Sequence, residues 1–216
     1  MARVTPNTDE IWEGLLRRYS AIQNFHGDPE LTEEEYWLSG KSDWSNIRVF
    51  LPDRSRVLEW GAGDGRISLA ALADCQEYIA YEPRPAPYEL LCQKVPDRAG
   101  LRKVGRQALD EKGLELSGLF AWNMLHHCDY DDLFELARFC AQNVRVGGRV
   151  VLQYQPFENG GDRILRVHKA ISEWPVYIWT AEQIICMFEA MGLQWEETLD
   201  CNGREVALFR GVAQCD

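Results

Sequence analysis

Apolar positions along the chain follow a helical period first and a strand-and-helix alternation afterwards. Ile11, Trp12, Leu15, Leu16, Tyr19 and Ile22 fall on one helical face, and Asn7 with Glu10 is placed to cap the helix that carries them. Residues 24–29 read as a loop, and Thr32 with Glu35 forms a capping-box pair opening a short helix through Tyr36 and Trp37. From residue 55 short apolar runs alternate with helical stretches, the order expected of a parallel sheet with crossover helices. The predicted strands lie near 56–60, 78–81, 101–104, 118–122 and 149–154, and the helices near 65–73, 86–95, 131–143 and 180–191. Gly147-Gly148 is expected to end the third of these helices and turn into Arg149–Leu152. Thr180 and Gln183 cap the last helix, and Gly192 stands at its C′ position. Beyond it, 193–199 and 204–210 flank Asn202-Gly203, a type I′ hairpin signal.

One stretch carries candidate chemistry. Glu59-Trp60-Gly61-Ala62-Gly63-Asp64-Gly65 follows the apolar pair Val57-Leu58 and reads as a strand ending in a glycine turn that opens a helix. Such a turn lets a ligand approach the backbone closely, beside unpaired helix N–H groups. A dinucleotide fingerprint would place its third glycine at position 66, where Arg66 stands. A second acid, Glu82, closes the next predicted strand 21 residues after Gly61 and precedes Pro83. A carboxylate there can accept both hydroxyls of a ribose; a solvated turn glutamate is the plain alternative.

The Glu-x-Gly-x-Gly-x-Gly spacing resembles motif I of the class I (Rossmann-like) S-adenosylmethionine (SAM) dependent methyltransferases of small-molecule type. Val146–Leu152 is similar to the stretch entering their fifth strand, and the terminal hairpin is similar to theirs, so the resemblance spans roughly residues 55–211. It implies an α/β fold: a doubly wound, seven-stranded, mostly parallel sheet with an antiparallel C-terminal hairpin strand. Residues 1–50 would form an N-terminal helical cap, 51–216 the SAM-binding unit, and about 155–180 a substrate insert.

The resemblance also implies roles. Glu59 and the backbone of Gly61, Ala62, Gly63 and Gly65 would face the methionine end of S-adenosyl-L-methionine, and Glu82 and Pro83 its ribose. Glu59 could instead cap the helix start. The family often has an Asp after the third strand for the adenine; here Gln107 and Ala108 occupy that region. Trp122 and Asn123 would lie beside the sulfonium, and S-adenosyl-L-homocysteine would be the product. His26, His126 and His127 are the general-base candidates. Tyr19, His26, Tyr36, Trp37, Tyr154 and Trp179 are candidates for the substrate side, with core packing the alternative for most aromatics. The Asn/Asp-Pro-Pro-aromatic motif of nucleobase amino-methyltransferases is absent after the fourth strand.

Composition narrows the partners. At 216 residues one domain is the default, and a net charge of −11 without any basic run argues against a nucleic-acid partner. The seven cysteines are scattered with no Cys-x-x-Cys pair, so no metal is expected and a reduced, cytoplasmic setting fits. No apolar run approaches the roughly 20 residues of a membrane span. Monomer and homodimer stay open. The expected reaction is methyl transfer to an oxygen or nitrogen of a small-molecule acceptor. A protein or tRNA methyltransferase, a non-catalytic partner with this fold and a nicotinamide oxidoreductase are the alternatives.

Overall fold

The computed structural model describes residues 32–154, 177, 179–201 and 204–213. The predicted helix starting at Asn7, the Asn202-Gly203 turn, and Tyr19 and His26 lie outside them. Thr32 opens α1 (Glu33–Ile47): its N–H donates to Glu35 Oε2 at 2.9 Å and its hydroxyl accepts from Glu35 N at 3.3 Å. The helix runs for 15 residues, well past Trp37, because Tyr36, Gly40, Trp44 and Ile47 recur at helical spacing and are all buried. A 3-10 turn (Arg48–Phe50) leads toward β1 (Arg56–Trp60). There follow α2 (Arg66–Ala71), β2 (Glu77–Tyr81), α3 (Pro85–Lys94), β3 (Leu101–Val104), β4 (Leu116–Ala121) and α4 (Tyr130–Asn143). The chain then forms β5 (Val144–Tyr154), α5 (Ala181–Ala190), β6 (Leu193–Asp200) and β7 (Glu205–Gly211).

Seven strands make one sheet in the order β3-β2-β1-β4-β5-β7-β6. β1 to β5 pair in parallel, and β7 runs antiparallel between β5 and β6. Strand order reverses between β1 and β4, so the crevice beyond their C-terminal ends is the topological switch point, where open α/β sheets bind ligands. Alternation along each strand feeds two cores. Leu58, Ile79, Leu119 and Leu152 pack with Leu136 and Cys140 of α4 and Phe188 of α5. Val57, Ala80, Phe120, Val151 and Leu208 pack with Trp44 of α1, Ile67 of α2 and Leu91 of α3. The described part of the N-terminal segment therefore shares a core with the sheet. Trp44 adds a polar tie, donating from Nε1 to Asp74 Oδ2 at 2.9 Å.

The start of β5 differs from the sequence-based expectation of 149. Helix α4 ends at Asn143, where the 131–143 expectation puts it, and Gly147-Gly148, expected to stop it, lies within β5; the buried Asn143 Nδ2 donates to Phe139 O and Glu111 O while its Oδ1 accepts from Leu114 N. That side chain competes for the helix's last carbonyls, and the following Val-Arg-Val favours extended backbone. β5 starts at once, and the register shifts between Leu116 and Gly118 on its partner strand β4. At the hairpin, Cys201 and Arg204 exchange backbone hydrogen bonds (2.7 and 3.3 Å), which closes a two-residue connection.

Helices α1 and α2 meet at Gly40, where a Cβ would stand 2.2 Å from the Arg66 carbonyl oxygen. Gly40→Ala is therefore expected to destabilise the fold by about 1–3 kcal/mol through a backbone shift. Urea denaturation reads this as a lowered midpoint; an unchanged midpoint would contradict the close α1–α2 contact.

Candidate functional site

Register sets the position of the glycine loop. Trp60 pairs with Tyr81, so the loop leaves β1 directly beside the tip of β2. There the Tyr81 carbonyl accepts from both Gly61 N and Ala62 N at 2.9 Å. Glu82, 5% exposed, accepts from Gly63 N through Oε2 at 2.8 Å and from Arg84 N through Oε1 at 3.0 Å. Gly61, Gly63 and Gly65 all adopt positive φ (80°, 59° and 91°). Gly65 has a second constraint: a Cβ there would meet Val95 Cγ2 at 2.1 Å, so only glycine lets α3 pack under the loop.

A layer of polar contacts underlies this loop. Asp64, 1% exposed, accepts from the Tyr36 hydroxyl of α1 at 2.6 Å and from Lys94 Nζ of α3 at 2.9 Å. Arg66 reaches back to α1, donating to Ser39 Oγ at 2.8 Å and Asp43 Oδ2 at 2.6 Å. Glu59 lies beneath α2, where Oε2 accepts from Ser68 Oγ at 2.5 Å and from the Tyr78 hydroxyl at 2.6 Å. Burial pushes the Glu59 carboxyl up to about 7, against the pull of these two hydrogen bonds. The Tyr36 hydroxyl is likewise raised, by burial first and by Asp64 second, and so stays a neutral donor.

The other sequence-predicted residues fall around this loop unevenly. At the tip of β3, Ala108 is buried and Gln107 is exposed, its amide folded back over Gly105. At the tip of β4, Trp122 is 5% exposed, and Asn123 adopts a left-handed φ of 57° while its N–H donates to Gln153 Oε1 at 3.0 Å. Met124 then covers Gly61. His126 and His127 are half-buried in a 3-10 turn with ring centroids 3.9 Å apart.

The aromatic set divides between the two sides of the sheet. Tyr36 is fully buried on the α1 side, with Trp37 edge-on at 5.3 Å. Tyr154 and Trp179 belong to the opposite core: the Tyr154 hydroxyl donates to Glu205, and Trp179 Nε1 donates to Leu125 O and Cys128 O. Sequence reasoning missed Asp64, Arg66, Lys94, Gln153 and Arg204. The available signal was polarity at buried strand parity, as at Gln153 after Val150-Val151-Leu152, and an acid inside a glycine turn. Among the described residues no cluster of three metal-ligating side chains occurs, and no helix is long and apolar enough to cross a membrane.

No protein-family model and no curated protein matches the chain. Solved structures do match its fold. Magnesium protoporphyrin IX methyltransferase from Synechocystis, with S-adenosylhomocysteine bound, is similar at a TM-score of 0.65 and 10% identity over 90% of this chain and 94% of that one. A SAM-dependent methyltransferase from Archaeoglobus fulgidus gives 0.64 and 14% identity over 88% and 97%. Geranyl diphosphate methyltransferase, with its diphosphate and sinefungin, gives 0.60 and 13% identity over 79% and 77%. The strand order, the β7 reversal and these likenesses define the fold as that of the class I SAM-dependent methyltransferases.

Glu59 generates a pH prediction. Its folded pKa, about 7, exceeds the ordinary 4.5, so the folded state holds this proton to higher pH than the unfolded chain. The associated stability is complete below the unfolded value and is lost as pH rises through the folded one. Glu59→Gln removes this titration and keeps an oxygen for Ser68 and Tyr78. Between pH 5 and pH 8 the stability of the parent is expected to fall relative to the variant, by on the order of 3 kcal/mol. Denaturation midpoints at both pH values check it, and parallel pH dependence of the two proteins would contradict it.

Proposed function

We propose that the protein is a SAM-dependent methyltransferase acting on an oxygen or nitrogen atom of a small-molecule acceptor. The observation that carries this reading is the buried Glu82 carboxylate at the tip of β2, hydrogen-bonded to Gly63 N within a loop of three positive-φ glycines at the switch point. The chain's groups fit such a cofactor: backbone without side chains at Gly61 and Gly63, an acid at each of two adjacent strand tips, and apolar flanks from Ala108 and Trp122. When bound, SAM supplies an activated methyl group whose S–C bond breaks as an acceptor lone pair forms the new bond, leaving S-adenosylhomocysteine.

Glu82 and Pro83 receive the ribose, the 61–65 backbone and Glu59 define the methionine end, and Gln107 and Ala108 border the adenine. The backbone of Trp122 and Asn123 borders the reacting centre. The chain's further tasks are to orient the acceptor and to exclude water. His126 or His127 takes the acceptor's proton where it has one to lose. Tyr36 acts on the loop through Asp64 instead of touching an acceptor, and Trp37 flanks it. Tyr154 and Trp179 shape the far wall at the tips of β5 and β4, while Tyr19 and His26 are assigned to the cap formed by residues 1–50. The segment at about 155–180, most of it outside the described residues, is assigned to the acceptor side. Support for a small acceptor comes from neighbours of this fold named for magnesium protoporphyrin IX and geranyl diphosphate.

Titration calorimetry with S-adenosylhomocysteine tests the central assignment. Glu82→Ala is expected to lose roughly 2–4 kcal/mol, a 30- to 1000-fold weaker affinity. Unchanged affinity would remove Glu82 from the site, and no binding by the parent would overturn the function.

A further inference from the structure

A second polar cluster lies on the α1 side of the sheet, at the tips of β4, β5 and β7. Gln153 is 5% exposed although it follows Val151 and pairs with Val206 on a face that is otherwise apolar. Its Oε1 accepts from two donors, Asn123 N at 3.0 Å and Arg204 Nη1 at 3.2 Å. The Arg204 guanidinium is thereby anchored beside the tip of β4, while the residue itself is exposed. Gln153 is the only hydrogen-bond partner of that guanidinium among the described residues, which leaves most of its N–H donors for a ligand.

Charges around Arg204 do not neutralise it. Burial is the largest influence on the guanidinium and lowers its pKa; Asp43 of α1 then raises it and Arg66 of α2 lowers it, and those two are paired with each other at 2.6 Å. Two neighbouring groups lack a hydrogen-bond partner among the described residues. Trp122 Nε1, a donor only, and Asn123 Oδ1 are both buried with no hydrogen bond among the described residues. Trp122 directly follows Ala121, and Gln153 directly follows its register partner Leu152, so the two residues are neighbours along the tips of β4 and β5, with Trp122 in the α1-side core. A buried donor and acceptor left without partners each cost about 1–3 kcal/mol, which is recovered when a ligand supplies the missing atoms.

Resting on the methyltransferase reading above, we propose that the methyl acceptor is an anion whose carboxylate or phosphate group is held by Arg204, with Trp122 Nε1 and Asn123 Oδ1 completing its recognition. Arg204 provides a charge-assisted, directional contact in a chain whose net charge of −11 otherwise repels anions. Gln153 is a positioning residue, because it touches the guanidinium and the β4 tip. Asn123 Oδ1 takes a hydroxyl or amino hydrogen of the same molecule.

The test uses the full chain, labelled SAM and a small-molecule cell extract divided beforehand on an anion exchanger at neutral pH. Label is expected to enter material from the retained fraction. Arg204→Gln should lower kcat/KM for that material about tenfold or more, with S-adenosylhomocysteine affinity kept within about twofold. Arg204→Lys should retain more activity than the glutamine variant. Phosphatase treatment of the retained fraction separates the two sources: abolished acceptance identifies a phosphate, persistent acceptance a carboxylate. Acceptors found only in the unretained fraction, or an unimpaired Arg204→Gln, would overturn the proposal while the cofactor reading stands. Failure of the parent to bind S-adenosylhomocysteine would overturn both. So would binding with no labelled product from any fraction, which removes the transfer step and its acceptor together.

Discussion

A buried carboxylate holding two backbone N–H groups is the constraint on which the candidate site depends. Glu82 accepts from Gly63 on one side and Arg84 on the other, so it fixes the loop after β1 and the start of the chain into α3 together. Removed from water, a carboxylate is tolerated only when its oxygens are satisfied. The parallel register of β1 and β2 sets the ends of both strands side by side, so the loop after β1 reaches this carboxylate. The Tyr81 carbonyl, holding Gly61 and Ala62, extends the same tie by one residue. Loop shape and strand pairing are thus one feature.

The second layer couples that loop to the helices beneath it. Asp64 lies between a tyrosine of α1 and a lysine of α3, and Arg66 returns to α1 through Asp43 and Ser39. A buried ion pair of this kind adds little net stability by itself, because desolvation offsets the attraction. Its effect is on geometry: α1 cannot shift without unpairing Asp64, and the loop cannot shift without unpairing Tyr36. Trp44 against Phe120, with ring centroids 5.9 Å apart, fixes the other end of α1 on the sheet. The same face then carries the polar tips of β4, β5 and β7, so one side of the sheet supports both the loop and the Arg204 cluster.

The fold was legible where local pattern is strong. Strands β1, β2 and β3, the capping boxes at Thr32 and Thr180 and the reversed terminal hairpin follow from short apolar runs, Ser/Thr-type caps and an Asn-Gly pair. The early start of β5 at Val144 was not, because Asn143 closes the preceding helix by bonding to Glu111 and Leu114, residues distant in sequence. The same limit applies at the site. The glycines and Glu82 sit in one recognisable spacing, whereas Tyr36 and Asp64 are 28 positions apart and Gln153 and Arg204 are 51 apart. Pairs of that kind leave no periodicity behind. Tyr36 read as a candidate pocket aromatic because composition cannot distinguish a ring facing a ligand from one whose hydroxyl holds a carboxylate.

The most direct measurement of the central claim is a crystal structure of the full chain grown with S-adenosylhomocysteine. The account predicts the nucleoside at the C-terminal ends of β1 and β4, its ribose hydroxyls on the Glu82 carboxylate and its amino-acid end along residues 61–65. A nucleoside bound elsewhere, or a Glu82 carboxylate still closed on Gly63 and Arg84 with no ligand beside it, would contradict it.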